Sequence, residues 1–262
     1  MKRFERAVSA LDGVAPDVTA HINPNQQGCD SGVGTCAAVG VCFVVMVGLR
    51  RAALARGLSC ELDLKRLLDL VALGTVCDVV PLRGLNRAFV LQGLKVWQQT
   101  QNPGLQALLA LLPKRPTFDG SLAGFQIGPR LNAAGRIGPS DLAARILTSN
   151  EADEARRLAD ELDRLNQRRR EVEAQVLSQA RLKLRDEEEG QGGERPYNLV
   201  ADPTWHPGVV GIVAGRLKDS TGKPSLVLGG DGESGLLTGC LLYTSDAADE
   251  GLGVDLGGRR II

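Results

Sequence analysis

The chain has 262 residues, 43% hydrophobic and 24% charged, a composition that fits one or two folded globular domains and excludes intrinsic disorder. Its 31 Lys and Arg balance 31 Asp and Glu, which excludes a uniformly basic nucleic-acid coat but leaves room for a local basic groove. Aromatic residues amount to 3%, so the dense stacking platforms of many single-strand binders are missing.

The opening Met1-Lys2-Arg3-Phe4-Glu5 leads into mixed polar sequence and carries no signal-peptide pattern. Ala15 to Gly34 is rich in turn residues: Asn23-Pro24-Asn25, then Gly28, Gly32 and Gly34. A helix is predicted over Ala37 to Ala55, apolar almost all round as far as Arg50-Arg51, which suits the inside of a large core. Its most apolar run, Ala37 to Leu49, is about 13 residues long, too short to span a bilayer. Leu64, Leu67, Leu68 and Val71 have helical spacing, and Gly74 is expected to end that helix. Asp78 then stands alone as a carboxylate in Thr75-Val76-Cys77-Asp78-Val79-Val80-Pro81. Further helices are predicted over Gly84 to Trp97 and Leu105 to Leu112. Phe118 to Pro139, with several glycines, two prolines and two arginines, reads as a long loop.

A helix from Asp141 into Leu147 follows, and Thr148 with Glu151 has the spacing of a capping box for the next one. That next helix carries a single stripe of Ala155, Leu158, Leu162, Leu165, Val172, Val176 and Leu177 and is otherwise dense in charge. It is predicted to run from Ala152 to about Leu184, close to 50 Å. A helix so long with so narrow a stripe connects domains or pairs with a partner. After a polar linker over Glu187 to Gly193, a strand at Tyr197 to Ala201, a helix at Val209 to Leu217 and a strand at Ser225 to Leu228 give a βαβ pattern. The six cysteines form no C-x-x-C pair and the chain has two histidines, so reduced buried thiols are favoured over a zinc site. The expectation is a soluble α/β protein, cytoplasmic in location, with no membrane contact.

After Gly239 the pattern breaks. Cys240 to Glu250 looks like the translation of a transposase-based sequencing adapter, and Val254 to Ile262 like its outer part, with Gly251 to Gly253 between them. The alternative is an unusual natural tail. The first reading sets residues 240–262 outside the fold and ends the genuine sequence near Gly239.

Three segments carry chemistry. Asp78 follows an apolar helix and would be costly to bury alone, so it must be hydrogen-bonded, ion-paired or metal-bound. Gly128-Pro129-Arg130-Leu131-Asn132-Ala133-Ala134-Gly135-Arg136 sets two arginines around small residues. Small residues let a ligand come close, and guanidinium forks suit phosphate oxygens; arginines bonded to backbone carbonyls or carboxylates are the structural alternative. In Trp205-His206-Pro207-Gly208-Val209-Val210-Gly211-Ile212-Val213-Ala214-Gly215-Arg216, His206 and Gly208 meet a helix start, where free N–H groups attract anions. A hydrogen bond that merely opens the helix is the alternative for His206.

Taken in order, Asn23-Pro24-Asn25-Gln26, Leu73-Gly74-Thr75-Val76-Cys77-Asp78-Val79-Val80-Pro81-Leu82, Asn86-Arg87, the Gly128 to Arg136 segment and the His206 to Arg216 segment resemble the DHH phosphoesterase family, and within it the RecJ-type single-strand-specific 5′-to-3′ DNA exonucleases. The resemblance covers about residues 16 to 239. It implies a partial DHH catalytic domain over 1–147, a connecting helix and linker over 148–193, and a partial DHH-associated domain over 194–239. It implies phosphodiester hydrolysis with Mn²⁺ or Mg²⁺ in DNA repair and recombination, and single-stranded DNA as the partner. Asp78 falls where the family has a catalytic metal aspartate, with Cys77 replacing a small residue. Arg130, Asn132, Arg136, His206 and Gly208 match motifs that line the DNA and phosphate cleft. The family's first metal motifs, including Asp-His-His, are missing from Met1 to Gly13, and His21 matches no ligand position. The associated domain's Gly-Ser-x-Arg-Ser segment is also missing after Thr238-Gly239. The resemblance thus implies the middle of such an enzyme, without nuclease activity of its own. Alternatives are a fragment of a DHH oligonucleotide or cyclic-dinucleotide phosphodiesterase, which lacks so long a helix, and a non-enzymatic nucleic-acid-binding remnant.

Overall fold

The computed structural model describes residues 22–26, 28–112, 118–191, 195–230 and 235–243. His21, the Met1 to Gly13 segment and the tail beyond Tyr243 lie outside the described residues. The elements are α1 (Ala38–Ala55), a 3₁₀ turn (Leu64–Leu67), α2 (Leu68–Cys77), α3 (Gly84–Trp97), α4 (Pro103–Ala110), a π-helical segment (Leu122–Ile127), α5 (Gly128–Ile137), α6 (Leu142–Thr148), α7 (Ala152–Gln191), β1 (Asn198–Asp202), α8 (Pro207–Thr221), β2 (Ser225–Gly230) and β3 (Leu237–Leu242). This is a mixed helix and sheet protein, as expected. Contacts divide it into two compact units, one running to Gln101 with Leu112–Gly128, the other Asn102–Leu111 with Pro129 onwards. Residue 147, the first boundary expected from sequence, falls inside the second unit.

In the first unit, α2 is the central helix. Val71, Ala72 and Leu73 are buried, and α2 packs most closely on α3, where buried Trp97 donates from Nε1 to the Asp69 carbonyl at 2.9 Å, while Phe89 of α3 meets Phe43 of α1 edge to face. Gly93 of α3 permits the close approach: a Cβ there would lie 2.1 Å from the Leu68 carbonyl oxygen. Gly74 does not end α2, which continues to Cys77. It instead makes room for α1, since a Cβ at Gly74 would lie 2.7 Å from Val39.

The helix α1 forms as predicted but is not a core helix. Only Gly40 is buried, while Val44, Val47, Leu49 and Leu54 are exposed. Its 18 residues have a mean hydropathy of 1.8, so the whole helix is long and apolar enough by composition to cross a membrane, although its most apolar run is not. The segment read as a loop over Phe118 to Pro139 is instead helical from the π segment through α5. Asp119 opens it, accepting from the Ser121 and Leu122 amides at 2.9 and 3.1 Å. The wide π turns immediately precede Pro129. They accommodate the ring and the missing N–H that would otherwise break an α-helix there.

In the second unit, α4 and α6 pack on α7. Thr148 does not cap α7: its hydroxyl donates back to the Ala144 carbonyl at 2.8 Å, and Ser149 Oγ accepts from the Glu151 amide instead. α7 is 40 residues long, runs past Leu184 to Gln191 and so takes in most of the linker expected over Glu187 to Gly193. The sheet has the order β1-β2-β3, with β1 parallel to β2 (Asn198 opposite Ser225) and β3 antiparallel to β2 (Ser225 opposite Leu242). The parallel pair and intervening α8 bear out the βαβ pattern. β3 runs three residues past Gly239 and buries Cys240. Val200, Val227, Val209, Val213 and Leu217 close a core with Val176, Leu177 and Ala180 of α7.

Candidate nucleic-acid interface

His206 is the residue before α8, and its Nδ1 accepts from the Gly208 amide at 3.0 Å. Pro207 occupies the first helical position, where its missing N–H costs nothing. Because Nδ1 is the acceptor, the neutral imidazole carries its proton on Nε2. The ring itself is exposed. The bond that opens the helix, named above as the structural alternative for His206, is therefore present, and it fixes the tautomer of an exposed donor.

Gly208 also meets the end of α5. Its carbonyl accepts from Arg136 Nη1 at 3.1 Å, and a Cβ on Gly208 would lie 2.0 Å from the Arg136 carbonyl oxygen. No other residue type fits this contact without moving α8. Arg136, His206 and Gly208 are thus brought together at one end of α8. Arg130 lies between one and two turns earlier on α5, half-buried, with Nε 2.8 Å from Asp163 Oδ1 of α7. Asn132 is exposed on the same helix. Both arginines therefore engage protein groups of the kind the structural alternative named.

The loop from β1 to α8 is fastened independently. Lys183 of α7 donates to Asp202 Oδ2 at 2.8 Å and to the Ala201 carbonyl at 2.9 Å, and its ammonium sits 5.2 Å from the Trp205 ring centre. Asp202 Oδ1 accepts from the Thr204 amide and hydroxyl. Lys183, then Thr204, hold the Asp202 carboxyl down to about 2. Buried Trp205 donates from Nε1 to Gln179 at 2.7 Å. Sequence reading missed Lys183, Asp202 and Asp163. Their partners lie 19 to 33 positions away, and no local spacing announces such pairs.

Asp78 belongs to the first unit, and the other five candidates lie in the second. It caps α2, its amide donating to the Gly74 carbonyl at 3.0 Å, and it is exposed rather than buried. A carboxylate at a helix C-terminus faces the negative end of the helix dipole, which favours a cation beside it. Val79, the next residue, has φ 55° and is 87% exposed. Burial, then the Asp78 charge, pushes the Cys77 thiol up. Its Sγ lies 3.7 Å from the Ala123 carbonyl, and a Cβ at Gly128 would stand 2.6 Å from that sulfur. Cys77 thus occupies space that Gly128 leaves open. Among the described residues no group of three or more His, Cys, Asp and Glu could hold a metal ion. All six cysteines are free.

No family model matches the chain. It is 41% identical over 230 residues to the single-stranded-DNA-specific exonuclease RecJ of Salmonella typhimurium, covering 83% of this chain and 39% of that protein. The Bacillus subtilis protein of the same name is 39% identical over 225 residues, 86% of this chain and 27% of the relative. Among solved structures, RecJ of Thermus thermophilus in complex with Mn²⁺ superposes with a TM-score of 0.64 at 32% identity, covering 84% of this chain and 30% of that one. An exonuclease RecJ bound to manganese gives 0.65 at 30% identity, over 87% and 53%. In sequence and in fold the chain resembles the RecJ single-stranded-DNA-specific exonucleases, spanning about two fifths of the length of the Salmonella relative and less of the Bacillus one.

Proposed function

We propose that the chain is a segment of a single-strand-specific DNA exonuclease of the DHH phosphoesterase type, which hydrolyses phosphodiester bonds 5′ to 3′ in DNA repair and recombination in the cytoplasm. The observation that carries this reading is the roughly two-fifths identity to RecJ proteins over more than four fifths of the chain. In this reading residues 1–147 contribute to the catalytic domain, 148–193 connect, and 194–239 contribute to the associated domain. The 40-residue α7 favours this over the compact phosphodiesterase alternative.

Mn²⁺ or Mg²⁺, bound in the solved relatives, would supply an activated water and charge neutralisation on the phosphate. The described residues do not fit a two-metal centre by themselves: Asp78 offers one carboxylate where several converging ligands are needed. Asp78 is therefore one ligand of a site completed by residues other than those described. The chain's other candidates bind and orient. His206 presents Nε2–H to a phosphate oxygen, Arg136 adds positive charge beside the start of α8, and Arg130 and Asn132 extend the surface along α5. Gly208 contributes its lack of a side chain.

The test is a chimaera in which residues 22–243 replace the matching segment of the Thermus thermophilus relative. Mn²⁺-dependent release of nucleotides from 5′-labelled single strands is expected, lost in Asp78→Ala with the melting curve unchanged. A folded chimaera that cuts equally well without Asp78 overturns the metal assignment, and one that never cuts overturns the reading. The 262-residue chain alone is expected to release none.

A further inference from the structure

Midway along α7 a charged cluster sits inside the second unit that none of the preceding roles uses. Glu173 is 3% exposed, and its Oε2 accepts from Arg169 Nη1 at 2.9 Å. Its Oε1 is in ion-pair contact with Nη2 of Arg216 on α8, without a well-aligned hydrogen bond. Arg169 is 13% exposed, donates from Nη2 to buried Asn166 at 3.1 Å, and leaves its Nε unbonded. Burial pushes the Arg169 guanidinium down; Glu173 opposes this, while Arg170 and Arg216 add to it. Two guanidinium groups, those of Arg169 and Arg216, therefore share one carboxylate. Among the described residues no second carboxylate lies within ion-pair distance of Arg169, Arg170 or Arg216.

A buried carboxylate this well enclosed is expensive unless paired, and one guanidinium would suffice to pair it. The second guanidinium, Arg216, is held at one nitrogen yet leaves 59% of its side chain in solvent. Its orientation is set by a buried partner, and the charge left over is positive. A pre-oriented planar fork with spare donors suits a phosphate oxygen pair.

We propose that Arg216, held by Glu173, binds a backbone phosphate of single-stranded DNA. This places a second phosphate contact on α8, about 15 Å along the helix from His206. The inference rests on the DNA-binding reading above. Glu173 is a positioning residue in it, and Arg169 neutralises Glu173 from within.

The experiment measures binding of a fluorescein-labelled oligo-dT to the 262-residue chain by anisotropy across a NaCl series. Arg216→Gln should weaken binding several-fold at low salt and flatten the log–log slope by about 0.7, the value for one lost single-strand phosphate contact. Arg216→Lys should restore the slope but not the whole affinity. Glu173→Gln raises the net charge by one, so unspecific attraction predicts tighter binding, whereas loss of positioning predicts weaker binding. Where Glu173→Gln fails to melt cooperatively, the arginine variants decide. A parent that binds, with Arg216→Gln leaving its slope unchanged, overturns this inference and leaves the exonuclease reading standing. Tighter binding by Glu173→Gln overturns the positioning role. A parent that binds no oligo-dT at about 50 mM NaCl, where phosphate contacts are weakly screened, overturns the DNA-binding role of this segment, and this contact with it.

Discussion

Val79 is a β-branched residue in the left-handed region, at the position after a helix C-cap where glycine is usual. Its side chain is almost wholly in solvent, so packing does not offset the strain. Val79→Gly should raise stability by about 1 kcal/mol, read as a higher Tm. Asp69 is the opposite case. It is 3% exposed, accepts from Thr100 Oγ1 at 2.6 Å and from the Leu70 amide, and burial pushes its carboxyl up despite those bonds. The folded state therefore holds this proton more tightly than the unfolded chain. Its contribution is complete below the unfolded pKa and is lost as pH rises through the raised value. Asp69→Asn keeps one oxygen for the Leu70 amide and reverses the other bond, its amide donating to Thr100 Oγ1, and should gain on the parent as the melt is moved from about pH 4 to about pH 7. Asp202 runs the other way. With its carboxyl held down to about 2, it favours folding above roughly pH 4 and loses that contribution as pH falls toward 2. Lys183→Met should lower Tm at about pH 7, and the deficit should shrink by about pH 2. Asp78 is the site residue easiest to find in the sequence, yet the reasoning that finds it is only half right. It is singular in an apolar run, but the run ends at the surface, so solvation replaces the partner that burial would have demanded.

At the scale of elements, glycines decide how closely helices meet. Gly93→Ala would press a methyl group into the Leu68 carbonyl and the Ala72 side chain, and should cost about 2 kcal/mol by forcing α2 and α3 apart. Urea denaturation measures it directly. Helix α3 was legible to the residue, because Gly84 to Trp97 has clear amphipathic spacing and clean ends. The βαβ unit was legible in its order though not in its ends, because its apolar runs are punctuated by His206-Pro207 and Gly222 while the helix starts two residues before and runs four past the expected bounds. Gly74 misled because a glycine that ends a helix and one that admits a neighbouring helix look alike without the neighbour. Gly128, Pro129 and Gly135 misled because the π turns that accommodate the proline have no periodic signature. Asp119 did carry a usable signal there, as a residue whose carboxylate satisfies the first amides of a helix. At the site, the His206 cap could be read from spacing alone, whereas the Arg130 and Lys183 pairings depend on which face of α7 arrives opposite them.

For the whole molecule, the exposed apolar residues of α1 are the main liability. Val44, Val47, Leu49 and Leu54 present a side that a water-soluble surface does not favour. The isolated chain should bind an apolar dye and self-associate, and Val47→Glu with Leu54→Glu should reduce both without lowering Tm. Sedimentation velocity with dye fluorescence would show it. The second unit has a different character, since its sheet and α8 close on one very long helix. At 40 residues α7 is far beyond the length at which an isolated helix becomes marginal, and it opens with Asp153 and Glu154 at the favourable end of its dipole. Helical ordering on this scale takes microseconds or less, whereas pairing β1 with β2 must first close the loop that contains α8. Refolding from denaturant should therefore recover much of the helical circular dichroism before the Trp205 environment becomes native. In time as in space, α7 would be the template on which the rest of that unit condenses.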